Sequence, residues 1–200
     1  MTRRAAVLLL TGPPAARACP PGVAPDAFAR ALAEDVADLL ADLPGLDPLV
    51  AAAPDRVADA EDLVWPGTPV LETGLGTPAD VFAALAVRGY DEAAVVVADA
   101  PDLPGLLVAK PFSALSGALV AAAPAVGGGL IALATRLPAP DWLPLDVSLD
   151  DQYAVERLIS AAPPGELALT QAWRRLRSRA DLACLDPDLE GWEATRALLG

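Results

Sequence analysis

Asp99-Ala100-Pro101-Asp102 sets two carboxylates three residues apart, directly after the apolar run of residues 93–98. Carboxylate oxygens are hard ligands suited to Mg2+ or Mn2+, and such an ion neutralises a diphosphate. The same residues can instead form a turn whose Asp side chains cap backbone N–H groups. A second stretch, Thr11-Gly12-Pro13-Pro14 followed by Arg17, also leaves an apolar run. Glycine lets backbone approach a phosphate and an arginine grips one bidentately, but a plain Pro-rich loop reads the same way. Third is Thr73-Gly74-Leu75-Gly76, immediately before a helix start at Thr77. A Gly-rich turn at a helix N-terminus can hold an anion or a ribose, and it is equally an ordinary capping turn.

What is missing narrows the chemistry further. The chain has no His, which removes Ser-His-Asp and Cys-His arrangements, His-ligated zinc and imidazole acid–base catalysis. Cys19 and Cys184 are far apart and form neither a metal-type pair nor a CxxC, which suits two reduced thiols in a cytoplasmic protein. A net charge of −13 offers no basic face to nucleic acid or to an anionic membrane. Arg174, Arg175, Arg177 and Arg179 make the one dense basic run, read as a solvated face or a partner for the acidic surface. The four tryptophans, Trp65, Trp142, Trp173 and Trp192, lie outside the three loops and read as packing anchors.

These loops need a scaffold. With 54% apolar residues in a chain of 200, there is enough for one full-sized core, and 21 Pro with 15 Gly imply many short elements. Arg3 and Arg4 before residues 5–10 superficially suggest a signal peptide, but Thr11 to Pro14 break the run at once and a buried first strand fits better. No stretch reaches the roughly 18 apolar residues of a membrane span.

The expected strands are 5–10, 47–53, 69–72, 93–98, 120–123, 130–134 and 166–170. The expected helices are 26–43, 77–88, 106–119 (broken or kinked at Pro111), 149–161 and 187–199, with a weak turn at 58–63. The helix at 26–43 shows apolar residues at three/four spacing, and the one at 77–88 has Thr77 as cap, Pro78 in first position and Asp80 three after the cap. Alternating strands and helices imply a mostly parallel sheet with right-handed crossovers, whose ligands sit beyond the carboxyl ends of the strands. The valine-rich 93–98 should be central.

The order of motifs resembles a bacterial glycosyltransferase-like family. It runs through Leu75-Gly76, Arg88-Gly89-Tyr90, the strand at 94–97 and Asp99-Ala100-Pro101-Asp102-Leu103. Gly127-Gly128-Gly129 with 130–134 resembles that family's Asp-Gly-Gly strand, and Ala180-Asp181-Leu182 matches the end of its closing stretch. The family is similar to 2-phospho-L-lactate guanylyltransferase and to molybdenum-cofactor guanylyltransferases. The resemblance implies one domain over residues 1–200 with the nucleotide-diphospho-sugar transferase (GT-A-like) fold, an α/β/α sandwich on a mostly parallel sheet. It implies a nucleotide or nucleotide-sugar ligand held by Thr11, Gly12, Arg17, Gly74 and Gly76, with Mg2+ or Mn2+ on Asp99 supported by Asp102. Gly12, Gly74, Gly76 and Asp99 would then line one cleft. No nucleic acid or membrane partner is implied, and self-association is left open.

The chain also departs from the family. Its first loop has Arg17 but no Lys, Thr77 and Pro78 follow Leu75-Gly76 where an Arg is common, and Gly127 stands where a second acidic residue is expected. These losses favour an alternative in which the scaffold persists for binding or assembly without catalysis. On the metal reading, Asp99→Ala should uncouple metal from nucleotide with little loss of stability, because a carboxylate pair without an ion repels itself.

Overall fold

A computed structural model describes residues 2–10, 17–74 and 76–200. Its elements in chain order are β1 (Arg4–Leu10), α1 (Pro25–Ala41), β2 (Asp47–Ala52), α2 (Val57–Glu61), β3 (Val70–Glu72), α3 (Pro78–Val87), β4 (Glu92–Val97), α4 (Gly105–Ala114), β5 (Val120–Pro124), β6 (Leu130–Arg136), α5 (Ala154–Ala161), β7 (Leu167–Leu169) and α6 (Glu193–Leu199). The seven strands form one sheet in the order β3-β2-β1-β4-β6-β5-β7. Only β6 runs against the rest, pairing antiparallel with β4 and β5.

The continuous apolar runs become the middle of that sheet. In β4 every residue after Glu92 is buried, and in β1 every residue after Arg4. Strands covered by helices on both faces have no solvent side, so they need no alternation of polar residues. β4 takes the fourth place of the seven, with β1 in register on one side and β6 on the other. The α/β/α architecture expected from the sequence is therefore present.

Local signals hold where they are self-contained. The Thr77 hydroxyl accepts from the Asp80 backbone N–H at 3.2 Å while Asp80 accepts from the Thr77 N–H at 3.4 Å, a reciprocal cap on α3. α4 continues past Pro111 to Ala114 and then stops, five residues before the expected end.

Two further helices are shorter than expected, and in each the backbone of the missing turns is claimed by other hydrogen bonds. Residues 149–153 are turns, not helix. The Leu149 carbonyl accepts from the Leu130 N–H at 2.9 Å, and the Gln152 carbonyl from the Gly129 N–H at 3.4 Å. Residues 187–192 likewise form a loop, with Gly191 at φ 90°. The Arg196 guanidinium of α6 there holds the Pro187 and Leu189 carbonyls at 3.2 and 2.6 Å.

Asp35 is a second surprise, since it lies on the apolar face of α1 yet is buried. Its two oxygens accept the Ala194 and Thr195 N–H groups at 2.9 Å each, so a side chain of α1 caps α6. Burial raises the Asp35 pKa above the ordinary carboxylate value, with those hydrogen bonds opposing it.

Candidate functional site

Because β6 alone is reversed, the turn between β5 and β6 opens at the same edge of the sheet as the carboxyl ends of β1 to β4. The chain leaves β1 toward β2 on one side and reaches β4 on the other, which makes the β1/β4 boundary a switch point of the kind where α/β sheets bind ligands. The chain leaves β1, β3 and β4 at this edge.

Of the residues singled out in the sequence, Thr11 and Gly12 lie outside the described residues. Arg17 is exposed, next to the buried Ala18 and Cys19. Gly74 and Gly76 follow β3, and a Cβ built on either meets nothing within 4 Å; Gly76 has φ +65°. Both glycines have space around them, but the N-terminus of α3 beyond them is already held by the carboxylate of Asp80. Negative charge brought there would face a carboxylate, so the loop suits a ribose or base better than a phosphate. β1 and β2 separate β3 from β4, which sets the two loops about 14 Å apart across the strand ends. Gly74 and Gly76 therefore do not touch Asp99; a ligand reaching both would have to lie across the edge.

Asp99 and Asp102 are both buried, at 4% and 3% exposure. Each has an arginine of its own. The Arg175 guanidinium donates to both oxygens of Asp99, Nε at 2.6 Å and Nη2 at 2.9 Å, and Nη2 also reaches Asp150 at 2.5 Å. Its Nη1 donates to the Leu130 and Leu149 carbonyls at 3.2 and 2.9 Å. Burial alone would disfavour the Arg175 charge, but Asp99 and then Asp150 oppose this and hold its pKa above the usual arginine value. Asp102 accepts from Arg174, from the Trp173 indole N–H at 3.3 Å and from the Asp186 backbone N–H at 3.3 Å. The Arg174 guanidinium lies over the Trp173 ring, 4.3 Å from its centre.

The arginine run is thus not simply a solvated face: Arg174 and Arg175 are partners of acidic residues, the other reading the sequence offered, and Arg179 is exposed. The run belongs to an extended segment, 173–177, that leaves β7 and crosses the carboxyl edge. A bridge from Ala125 to Trp173 starts it, and the Leu176 N–H donates to the Asp99 carbonyl at 2.8 Å. Arg177 grips the Gly128 carbonyl at 2.7 Å, and Arg179 reaches the Cys19 carbonyl at 3.0 Å, beside the loop after β1. Leu176 packs with Ala18, Phe28 and Leu32.

In the Gly127-Gly128-Gly129 turn, Gly129 is the glycine pressed against both this segment and the turns at 148–153. A Cβ on Gly129 would stand 2.6 Å from the Leu149 carbonyl and 2.7 Å from Arg177 Nη2. Among the tryptophans, Trp192 is buried as expected. Trp65 is 68% exposed and is no packing anchor; its indole N–H donates to Asp38 at 2.8 Å. The available cue to the arginine segment was composition: four arginines in six residues of a strongly acidic chain, interleaved with Leu176 and preceded by Trp173.

No family model matches the chain, and no curated protein matches it. Solved structures do. A nucleotide-diphospho-sugar transferase candidate from Desulfovibrio desulfuricans G20 is 19% identical, with a TM-score of 0.68 over 100% of this chain and 97% of that one. CMP:2-keto-3-deoxy-manno-octonic acid synthetase, solved with CTP, is 13% identical, with a TM-score of 0.58 over 92% of this chain and 96% of that one. Rv0371c from Mycobacterium tuberculosis H37Rv, solved with manganese, is 17% identical, with a TM-score of 0.55 over 99% and 98%. These likenesses define the fold: it is that of the nucleotide-diphospho-sugar transferases. No described helix is long and apolar enough to cross a membrane.

Proposed function

We propose that the chain binds a nucleotide or nucleotide-sugar across the carboxyl edge of β1 to β4. Base and ribose lie against Gly74 and Gly76, and phosphates lie toward Thr11, Gly12 and Arg17. The observation that carries this reading is that the chain leaves β1, β3 and β4 on one edge around the switch point, with space around Gly74 and Gly76. The CTP complex of a neighbour with the same fold supports it.

The divalent ion expected at Asp99 and Asp102 does not fit the residues as they stand. Both Asp99 oxygens are bonded to Arg175, and Asp102 is held by Arg174, Trp173 and a backbone N–H. Among the described residues no three His, Cys, Asp or Glu side chains converge as a metal site would need. A manganese complex is known for Rv0371c, a neighbour with the same fold. This pairing favours binding without metal-assisted transfer, and so the scaffold reading over the transferase one.

A thermal-shift screen of nucleoside triphosphates and nucleotide-sugars, each with and without Mn2+, tests the proposal. Guanosine nucleotides head the panel because the glycosyltransferase-like family that the sequence resembles is similar to guanylyltransferases. At least one nucleotide should raise the Tm by several degrees; a flat panel would remove the nucleotide-binding reading.

A further inference from the structure

The Arg175 guanidinium sits on the Asp99 oxygens where the sequence led us to expect an ion, and it is surrounded by oxygen. Its five contacts all go to oxygen: three to carboxylates, of Asp99 at 2.6 and 2.9 Å and Asp150 at 2.5 Å, and two to the carbonyls of Leu130 and Leu149 at 3.2 and 2.9 Å. Hard oxygens of this mixture are what Mg2+ or Mn2+ takes. Guanidinium has five N–H donors in a fixed planar fork, and this cage satisfies all of them.

The cage is assembled from four parts of the chain: the end of β4, the start of β6, the turns at 148–153 and the segment 173–177. Each is tied to another by backbone hydrogen bonds, Leu176 to Asp99 at 2.8 Å and Leu130 to Leu149 at 2.9 Å. A metal ion could enter only by expelling a buried guanidinium that would lose every acceptor it has, a cost several times that of an exposed ion pair.

We propose that Arg175 is a built-in counter-cation: it takes the place of a divalent ion at Asp99, so that the chain binds its nucleotide without metal. The second half of this rests on the nucleotide-binding reading; the first does not.

The test begins with Mn2+ alone, followed by the electron paramagnetic resonance signal of the free ion. The native chain should leave that signal unchanged. Arg175→Met, which leaves the Asp99 and Asp150 carboxylates facing one another, should bind one equivalent at least tenfold more tightly than the native chain. One Mn2+ bound by the native chain, and lost in Asp99→Asn, would overturn the proposal.

Should Arg175→Met fail to fold, the native chain still decides, by calorimetric titration of CTP and GTP in Mn2+ and in EDTA. Equal affinities within about twofold uphold the proposal. A tenfold gain in Mn2+ that Asp99→Asn removes refutes it. If neither nucleotide binds in either buffer, the functional reading falls, while the Mn2+ titration still judges Arg175.

Discussion

At the end of β3 a side chain could be added to Gly74 or Gly76 without meeting any atom within 4 Å, whereas at the β5–β6 turn a Cβ on Gly129 would collide with the Leu149 carbonyl at 2.6 Å. The two glycine loops read alike in the sequence and lie on one edge of the sheet, yet they do opposite things. Gly74 and Gly76 have space around them and precede a capped helix; Gly128 and Gly129 are closed in by Gln152, Leu149 and Arg177. Around Asp99 the protein answers its own charges from within, and around Gly74 it leaves space. A ligand of this chain should therefore depend on the β1 and β3 loops, and the β4 region should matter mainly for folding.

The sharpest break in that contrast comes from Asp99→Ala. Because it strips a buried arginine of its main partner, it should cost about 3–5 kcal/mol, read from urea unfolding in metal-free buffer. This reverses the expectation from the sequence, where Asp99 and Asp102 were a self-repelling pair and removing one cost little. A loss below about 1 kcal/mol would mean that the Arg175 pair does not form.

Gly129→Ala should follow at about 2–3 kcal/mol, because the left-handed backbone at φ +78° and a clash with backbone oxygen act together. The matching change in the open half, Gly76→Ala, meets only the backbone term and should cost about 1–2 kcal/mol. Equal losses at the two glycines would erase the distinction drawn between the loops.

Asp35→Ala should cost about 1–2 kcal/mol by uncapping α6. Faster hydrogen exchange at Ala194 and Thr195 is its local signature. Smallest in stability, within about 0.5 kcal/mol, is Arg17→Ala, since the side chain is exposed. It should nonetheless weaken nucleotide binding severalfold in a calorimetric titration while Asp99→Asn, if folded, leaves affinity in EDTA nearly unchanged. The opposite ranking would move the binding site to β4.

Much of the scaffold was legible because its signals are local or compositional. Short unbroken runs such as Ala-Ala-Val-Leu-Leu-Leu in β1 and Ala-Ala-Val-Val-Val in β4, bounded by breakers and rich in Val, are what strands covered on both faces need. Thr77, Pro78 and Asp80 state the start of α3 within four residues. The site was legible only as a list of polar loops. Which carboxylate meets which arginine depends on residues 76 positions apart in the case of Asp99 and Arg175, and no spacing rule reaches that far.

The amino-acid sequence by itself determined the fold class, the central place of β4, the cap of α3 and the exclusion of histidine chemistry, since each follows from residue type or short-range order. Only the tertiary structure decided that residues 149–153 are turns, that Asp35 serves α6, and that the arginine run lies across the strand ends. The physical reason is the same in each case. A backbone carbonyl or a buried carboxylate takes whichever donor the packed chain brings to it, and in this protein the donor brought to Asp99 is its own Arg175.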